Sequence, residues 1–197
     1  MRIFALALAG ALLATPALAQ TPSQDLSRLF GDERALVWRE NPLAATSDGV
    51  LEYDDRLPSV TPEANLRQAT GDRALLARLN GIDRATLSAQ EQVSYGLFAF
   101  MVGERVRFAA YREWRLPINN DSGFYADILQ LGDLQAPRTT HDYENYIARL
   151  NDVPRYFREN IANMRVGIRE GFTLPREIIG GVGQVVSGLH FAAPEAT

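Results

Sequence analysis

The chain contains no cysteine, no lysine and only two histidines, His141 and His190; all twenty of its basic residues are arginine. Without cysteine there is no thiol nucleophile, no thiolate ligand for zinc and no disulfide, so cysteine usage says nothing of redox compartment. Without lysine there is no Schiff-base amine, no phosphate-loop lysine and no Ser-x-x-Lys acylation site. Long apolar runs are scarce too: beyond the N-terminus no segment approaches the roughly 20 apolar residues of a membrane-spanning helix. The sequence also shows no alternating strand pattern of useful length, no internal repeat and no low-complexity tract.

What is present fits one ordinary domain or a piece of a larger one: 197 residues, 46% of them hydrophobic, enough to bury a core. The start, "MRIFALALAGALLATPALAQ", has a basic residue at Arg2, an apolar run from Ile3 to Leu13, a break at Pro16 and small residues before Gln20. That pattern is a secretory leader with cleavage near Ala19, which makes residues 20–197 an exported helical region, periplasmic or secreted, with no membrane span. Once Arg2 leaves with the leader, 24 acidic side chains face 19 basic ones, a net charge of about −5. Such a chain gains nothing near a phosphate backbone, and no nucleic-acid partner is expected.

Helical spacing dominates the rest, and the fold class is all-α, an irregular array of several helices. Leu26, Leu29, Phe30, Leu36 and Val37 share a face between Pro22 and Asn41, with Ser23 as a candidate cap. "TSDGVLEYDDRLPSVTPE" is irregular, with Asp54 and Asp55 as turn formers. Thr61-Pro62-Glu63 starts a helix that runs to Asn80 and stops at Gly81. Ser88-Ala89-Gln90-Glu91 is a capping box opening a helix to about Trp114, with Val93, Leu97, Phe100, Met101, Phe108 and Tyr111 on one face. Phe100 and Phe108 are expected in the core, where truncation to Ala costs about 3–5 kcal/mol. Glu104 lies on that face, so it is expected to point inward and pair with Arg107 or Arg112.

A later helix starts from a Thr139 or Thr140 cap, and Tyr143, Ile147, Leu150, Phe157, Ile161, Met164 and Ile168 recur on it every three or four residues. Pro154 either kinks it or starts a second helix capped by Asn151 or Asp152. Gly171 ends the run. A further helix from about Pro175 to Leu189 carries Gly180, Gly181, Gly183 and Gly188, which suit close packing.

Few residues suggest chemistry. His141 opens a helix beside Asp142, and His190 has apolar and small neighbours; both are taken as surface or structural residues. "GGVGQVVSG" lacks the strand and third glycine of a dinucleotide loop. "REWRLPINNDSGF", residues 112–124, is either a helix-to-helix connection or a loop in which Asn119, Asn120, Asp121 and Ser122 line a cleft. Ser122 has no adjacent histidine and is no nucleophile.

Several stretches together, "YDDRLPSVTPEA", "LSAQEQVSYGLFAF", "YREWRLPINNDSGF" and "TTHDYENYIARLNDVPRYFRENIANMRVGIREGFTLPR", resemble the N-terminal part of the bacterial domain-of-unknown-function family 885, from about Leu29 to Leu189. The resemblance implies a much longer, largely helical, often exported protein similar to zinc metallopeptidases. In those, a His-Glu-x-x-His helix and a downstream Glu form the site, and peptides or related amides are the substrates. Neither His141 nor His190 is followed by Glu and a second His, so no catalytic, cofactor-binding or metal residue is carried over to this chain. The resemblance therefore implies the non-catalytic N-terminal half of such an enzyme, truncated, with residues 119–122 as a cleft wall. Its partner would be a C-terminal half that brings the zinc site. The apolar helix around Ile178, Ile179, Val182, Val185 and Val186 is expected to be left open by that absence. The other reading is a freestanding exported helical protein that binds a ligand or partner without catalysis.

Overall fold

The computed structural model describes residues 21–119, 122–179 and 183. Each long helix begins where a hydroxyl side chain can accept a free backbone N–H of the first turn. Thr21 caps α1 (Pro22–Glu40) in a capping box with Gln24, displacing Ser23 from that role by two residues. Thr61 caps α3 (Pro62–Asn80), following the short α2 (Pro42–Ser47). Ser88 and Glu91 form the capping box of α4 (Ala89–Ala109), and Thr139 and Asp142 that of α7 (Thr140–Arg169). Between them lie α5 (Phe124–Leu129) and α6 (Leu131–Gln135), and α8 (Arg176–Ile179) follows α7. No strand occurs among the described residues; Ile118 and Gly123 form an isolated bridge.

Two ends differ from the sequence expectation. The α4 helix stops at Ala109 rather than near Trp114, because Arg112 adopts a left-handed conformation (φ 53°) that turns the chain into a 3-10 turn at Glu113–Arg115. Arg112 is held there by Glu170 at the end of α7, 2.6 Å away. At Pro154 there is one continuous helix, and Asp152 caps nothing: it accepts the N–H of Leu57 at 3.0 Å. Gly171 ends α7 in the left-handed region (φ 69°), where glycine carries no Cβ penalty.

The first core packs α1, α3 and α4 through Leu26, Leu29, Leu36, Leu75, Leu79, Phe98 and Val102. Phe30 and Phe98 meet with ring centroids 5.2 Å apart. One buried charge network spans the three helices: Arg105 of α4 reaches Asp72 of α3 and Glu33 of α1, each at 2.9 Å. The second core gathers Leu43, Leu57, Leu131 and Tyr156, with Phe124 and Phe157 against it, where α2, α5 and α6 meet α7.

The two longest helices turn faces inward that the apolar periodicity did not select. On α4 the stripe named from sequence lies outside: Phe100 is 66% exposed and Phe108 41%, and Val93, Leu97, Met101 and Tyr111 are exposed as well. Phe100 and Phe108 are thus not core residues, which corrects the sequence expectation. The helix is apolar on both sides, and Tyr95, Phe98, Ala99 and Val102 form the side that packs. Glu104 accordingly does not point inward; it bonds Arg107 one turn on, along the surface. On α7 most of the apolar stripe is again outside, with Tyr143, Ile147, Leu150, Ile161 and Ile168 exposed but Phe157 packed on the second core, and the buried side carries Arg149, Asn160 and Asn163 beside Tyr156.

Candidate functional site

The inner face of α7 explains its own polarity once its neighbour is considered. Residues 56–60 form no helix or strand, so their backbone groups need partners from elsewhere. Polar side chains at positions 149, 152, 155, 159 and 163, three or four residues apart on α7, supply them. Arg149, fully buried at 0% exposure, donates to the carbonyls of Tyr53 (2.8 Å) and Arg56 (2.9 Å), to Gln135 Oε1 (3.0 Å) and to Thr46 Oγ1 (3.0 Å). Arg155 donates to the carbonyl of Leu57 at 3.0 Å, and Asn163 to that of Val60 at 2.6 Å. Glu159 accepts the Val60 N–H at 2.8 Å. A guanidinium has five donors in a fixed fork, which is why arginine can serve several carbonyls at once.

Asp54 belongs to this network. It is buried, accepts from Thr46 Oγ1 at 2.5 Å and faces Arg149 at 3.3 Å. Asp54 and Asp55 do form a turn, and Asp54 is an internal anchor as well, whereas Asp55 points outward to Arg56. Burial pushes the Arg149 guanidinium below its ordinary value, and Asp54 and Asp55 oppose that shift. The Asp152 carboxyl is held below the usual range by its bonds to Arg155 and to the Leu57 N–H.

Beside the network opens a cleft of about 780 Å³, lined by Asn41, Asn65, Gln68, Asp127, Gln130 and Tyr156 among others. Partial burial raises the Asp127 carboxyl above its ordinary value. Burial, and then the charge of Asp127, push the Tyr156 hydroxyl up to about 12. The lining offers amides, carboxylates and a phenol, a set that suits hydrogen bonding to a polar ligand.

The sequence-named loop is elsewhere. Asn119 and Ser122 bond one another, the Asn119 N–H to the Ser122 carbonyl at 2.9 Å and the Ser122 N–H to Asn119 Oδ1 at 2.7 Å. Neither lines the cleft described above; Asn120 and Asp121 lie outside the described residues, as do residues 1–20, His190 and most of the glycine-rich C-terminal segment. His141 is on the surface, with Glu144 at 3.7 Å. Among the described residues no three His, Asp or Glu side chains stand close enough to hold a metal ion. No described helix is long and apolar enough to cross a membrane.

Gly167 fixes the last contact of this region. A Cβ there would stand 2.7 Å from the Arg115 carbonyl and 2.8 Å from that of Phe172, so only glycine lets the turn at Glu113–Arg115 lie against α7. The Arg115 guanidinium then stacks 4.2 Å from the Phe172 ring.

The family model described as "Bacterial protein of unknown function (DUF885)" matches residues 42–196, most of the chain. No curated protein matches it.

Proposed function

Because the chain belongs to the bacterial DUF885 family of unknown function, we propose that it is the non-catalytic N-terminal portion of an exported zinc-metallopeptidase-like hydrolase acting on peptides or related amides. The observation that carries this reading is the outer face of α4. Val93, Leu97, Phe100, Met101 and Phe108, continued by Tyr111 just past the helix end, form one exposed apolar stripe on a helix whose other side already fills a core. A stripe of this kind is covered in a finished fold, since monomers rarely leave more than a few hundred Å² of contiguous apolar surface open. The covering element in this proposal is a C-terminal half that also brings the metal site.

Zinc in such an enzyme would polarise the scissile carbonyl and activate a water. The residues described here do not fit that ion, as His141 stands on the surface with Glu144 at 3.7 Å and no three metal-ligating side chains come together among the described residues. The role assigned to this chain is to shape and support. Its polar cleft beside Tyr156 is consistent with the second reading, a freestanding module that binds a polar ligand.

The test is co-expression with the C-terminal half of a full-length family member. Co-purification, loss of hydrophobic-dye binding and zinc-dependent peptide cleavage by the pair alone are expected. Stoichiometric zinc and peptide cleavage by this chain by itself would refute the proposal. A soluble, dye-silent chain that ignores the added half would favour the binding module.

A further inference from the structure

The apolar stripe of α7 has a regularity that the α4 stripe lacks. From Tyr143 through Ile147, Leu150, Pro154, Phe157, Ile161 and Met164 to Ile168, the steps alternate between four and three residues without a break. This is the 3.5-residue repeat of a coiled-coil seam, and on α7 it extends for roughly 38 Å. Tyr143, Ile147, Leu150, Pro154, Ile161 and Ile168 are exposed along it, Met164 is half-buried, and Phe157 is half-buried with its ring against Phe124 of the second core, so the centre of the seam is its thinnest part. Glu144, Asn151, Arg158 and Arg165 flank it at intervals of seven, all exposed, as are Ala148 and Ala162, so the side of α7 away from its buried face has room for another helix.

We propose that this seam binds a second copy of the chain, with the two α7 helices antiparallel. When Tyr143 is set opposite the second copy's Ile168, Ile147 meets Met164, Leu150 meets Ile161 and Pro154 meets Phe157. Every seam position then faces an apolar one. The same register brings Glu144 beside the second copy's Arg165 at both ends, and Asn151 beside Arg158. A parallel pair would set these flanking residues against Tyr146, Val153, Asn160 and Gly167, which carry no charge and pack toward their own fold. Charge complementarity therefore selects the antiparallel copy. This inference goes beyond the proposed function and does not depend on it.

The test is sedimentation equilibrium of the purified chain up to about 100 μM, a range that detects weak association. A concentration-dependent dimer is expected. Replacing Ile147 and Ile161 by Glu should give a monomer with unchanged helical circular dichroism, since both side chains are exposed. Glu144→Arg or Arg165→Glu alone should raise the dissociation constant roughly tenfold, and the double exchange should restore it. As the chain has no cysteine, the Leu150→Cys/Ile161→Cys variant should cross-link on oxidation, and Ile161→Cys alone should not. A wild-type monomer throughout would overturn the proposal, and so would a dimer indifferent to Ile147 and Ile161, which would place the contact on another face. Cross-linking by Ile161→Cys alone would show a parallel pair and overturn it equally.

Discussion

The two packed regions of this molecule differ in how much polarity they bury beside their apolar cores. Around α1, α3 and α4 the interior is leucine, phenylalanine and valine, and the polar exception is the Arg105, Asp72 and Glu33 network. Along α7 the interior mixes Tyr156 with Arg149, Asn160 and Asn163, while Tyr143, Ile147, Leu150, Ile161 and Ile168 look outward. The difference follows from what each helix packs against. A helix satisfies its own backbone and asks its neighbour only for apolar contact, whereas residues 56–60 bring unpaired N–H and C=O groups that must be bonded before they can be covered.

This contrast predicts that the largest single loss lies in the polar region. Arg149→Met should cost about 3–5 kcal/mol in denaturant unfolding, because Asp54 would remain buried without its counter-charge and the Arg56 carbonyl without the guanidinium that bonds it. Arg149→Lys should recover little, since a point charge cannot replace the guanidinium fork; full recovery would show that only the charge matters. In the apolar core, Leu79, which is fully buried, supplies the matching experiment. Leu79→Ala should cost about 2–4 kcal/mol, and a loss larger than that of Arg149→Met would reverse the ranking of the two regions.

Smaller effects sharpen the comparison. Asn163→Ala should cost about 1 kcal/mol by removing one of the two amide donors to the Val60 carbonyl, Asn65 keeping the other at 3.0 Å, with faster amide exchange in residues 56–60 as its local signature. Asp152 gives the pH dependence. Its folded carboxyl titrates below the unfolded value of about 3.9, so its contribution is present above that pH and is lost as pH falls through the folded value. Asp152→Asn should therefore lower stability at neutral pH and flatten the acid limb of the stability curve; an unchanged acid limb would show that the Leu57 and Arg155 bonds do not form in solution. Phe100→Ala should change stability by no more than ~0.5 kcal/mol, as expected of an exposed site, against the much larger loss that its place in the sequence stripe suggests.

Much of the helical frame is legible in the sequence, because caps act locally. Thr61, Ser88 and Thr139 set their helices where a hydroxyl followed by Pro or an acid three residues on should set them. Burial is not local, and there apolar periodicity misleads. On α4 both faces carry apolar residues at helical spacing, so pattern alone cannot choose between Phe98 and Phe100. On α7 the signal was available in another form: Arg149, Asp152, Arg155, Glu159 and Asn163 recur at helical spacing just as the apolar residues do. They match the irregular stretch that precedes α3, but only the fold shows that a distant segment of backbone needs that polar stripe. The cleft was equally hidden, since it unites Asn41, Asn65, Gln68, Asp127 and Tyr156 from three helices and a connection. The loop with the most suggestive composition instead spends the polar groups of Asn119 and Ser122 on its own turn.

α7 buries the polar stripe of Arg149, Asn160 and Asn163 and exposes the apolar one of Tyr143, Ile147, Leu150, Ile161 and Ile168. A chain without cysteine allows that to be measured directly, by the labelling rates of Asn160→Cys and Ile161→Cys in protein dilute enough to remain monomeric. Asn160 is 2% exposed and its neighbour Ile161 is 38% exposed. The account predicts that the cysteine at 161 reacts near the rate of an unfolded thiol while the one at 160 is protected at least ~100-fold. Protection at 161 with free reaction at 160 would mean that the helix is turned the other way, and would contradict it.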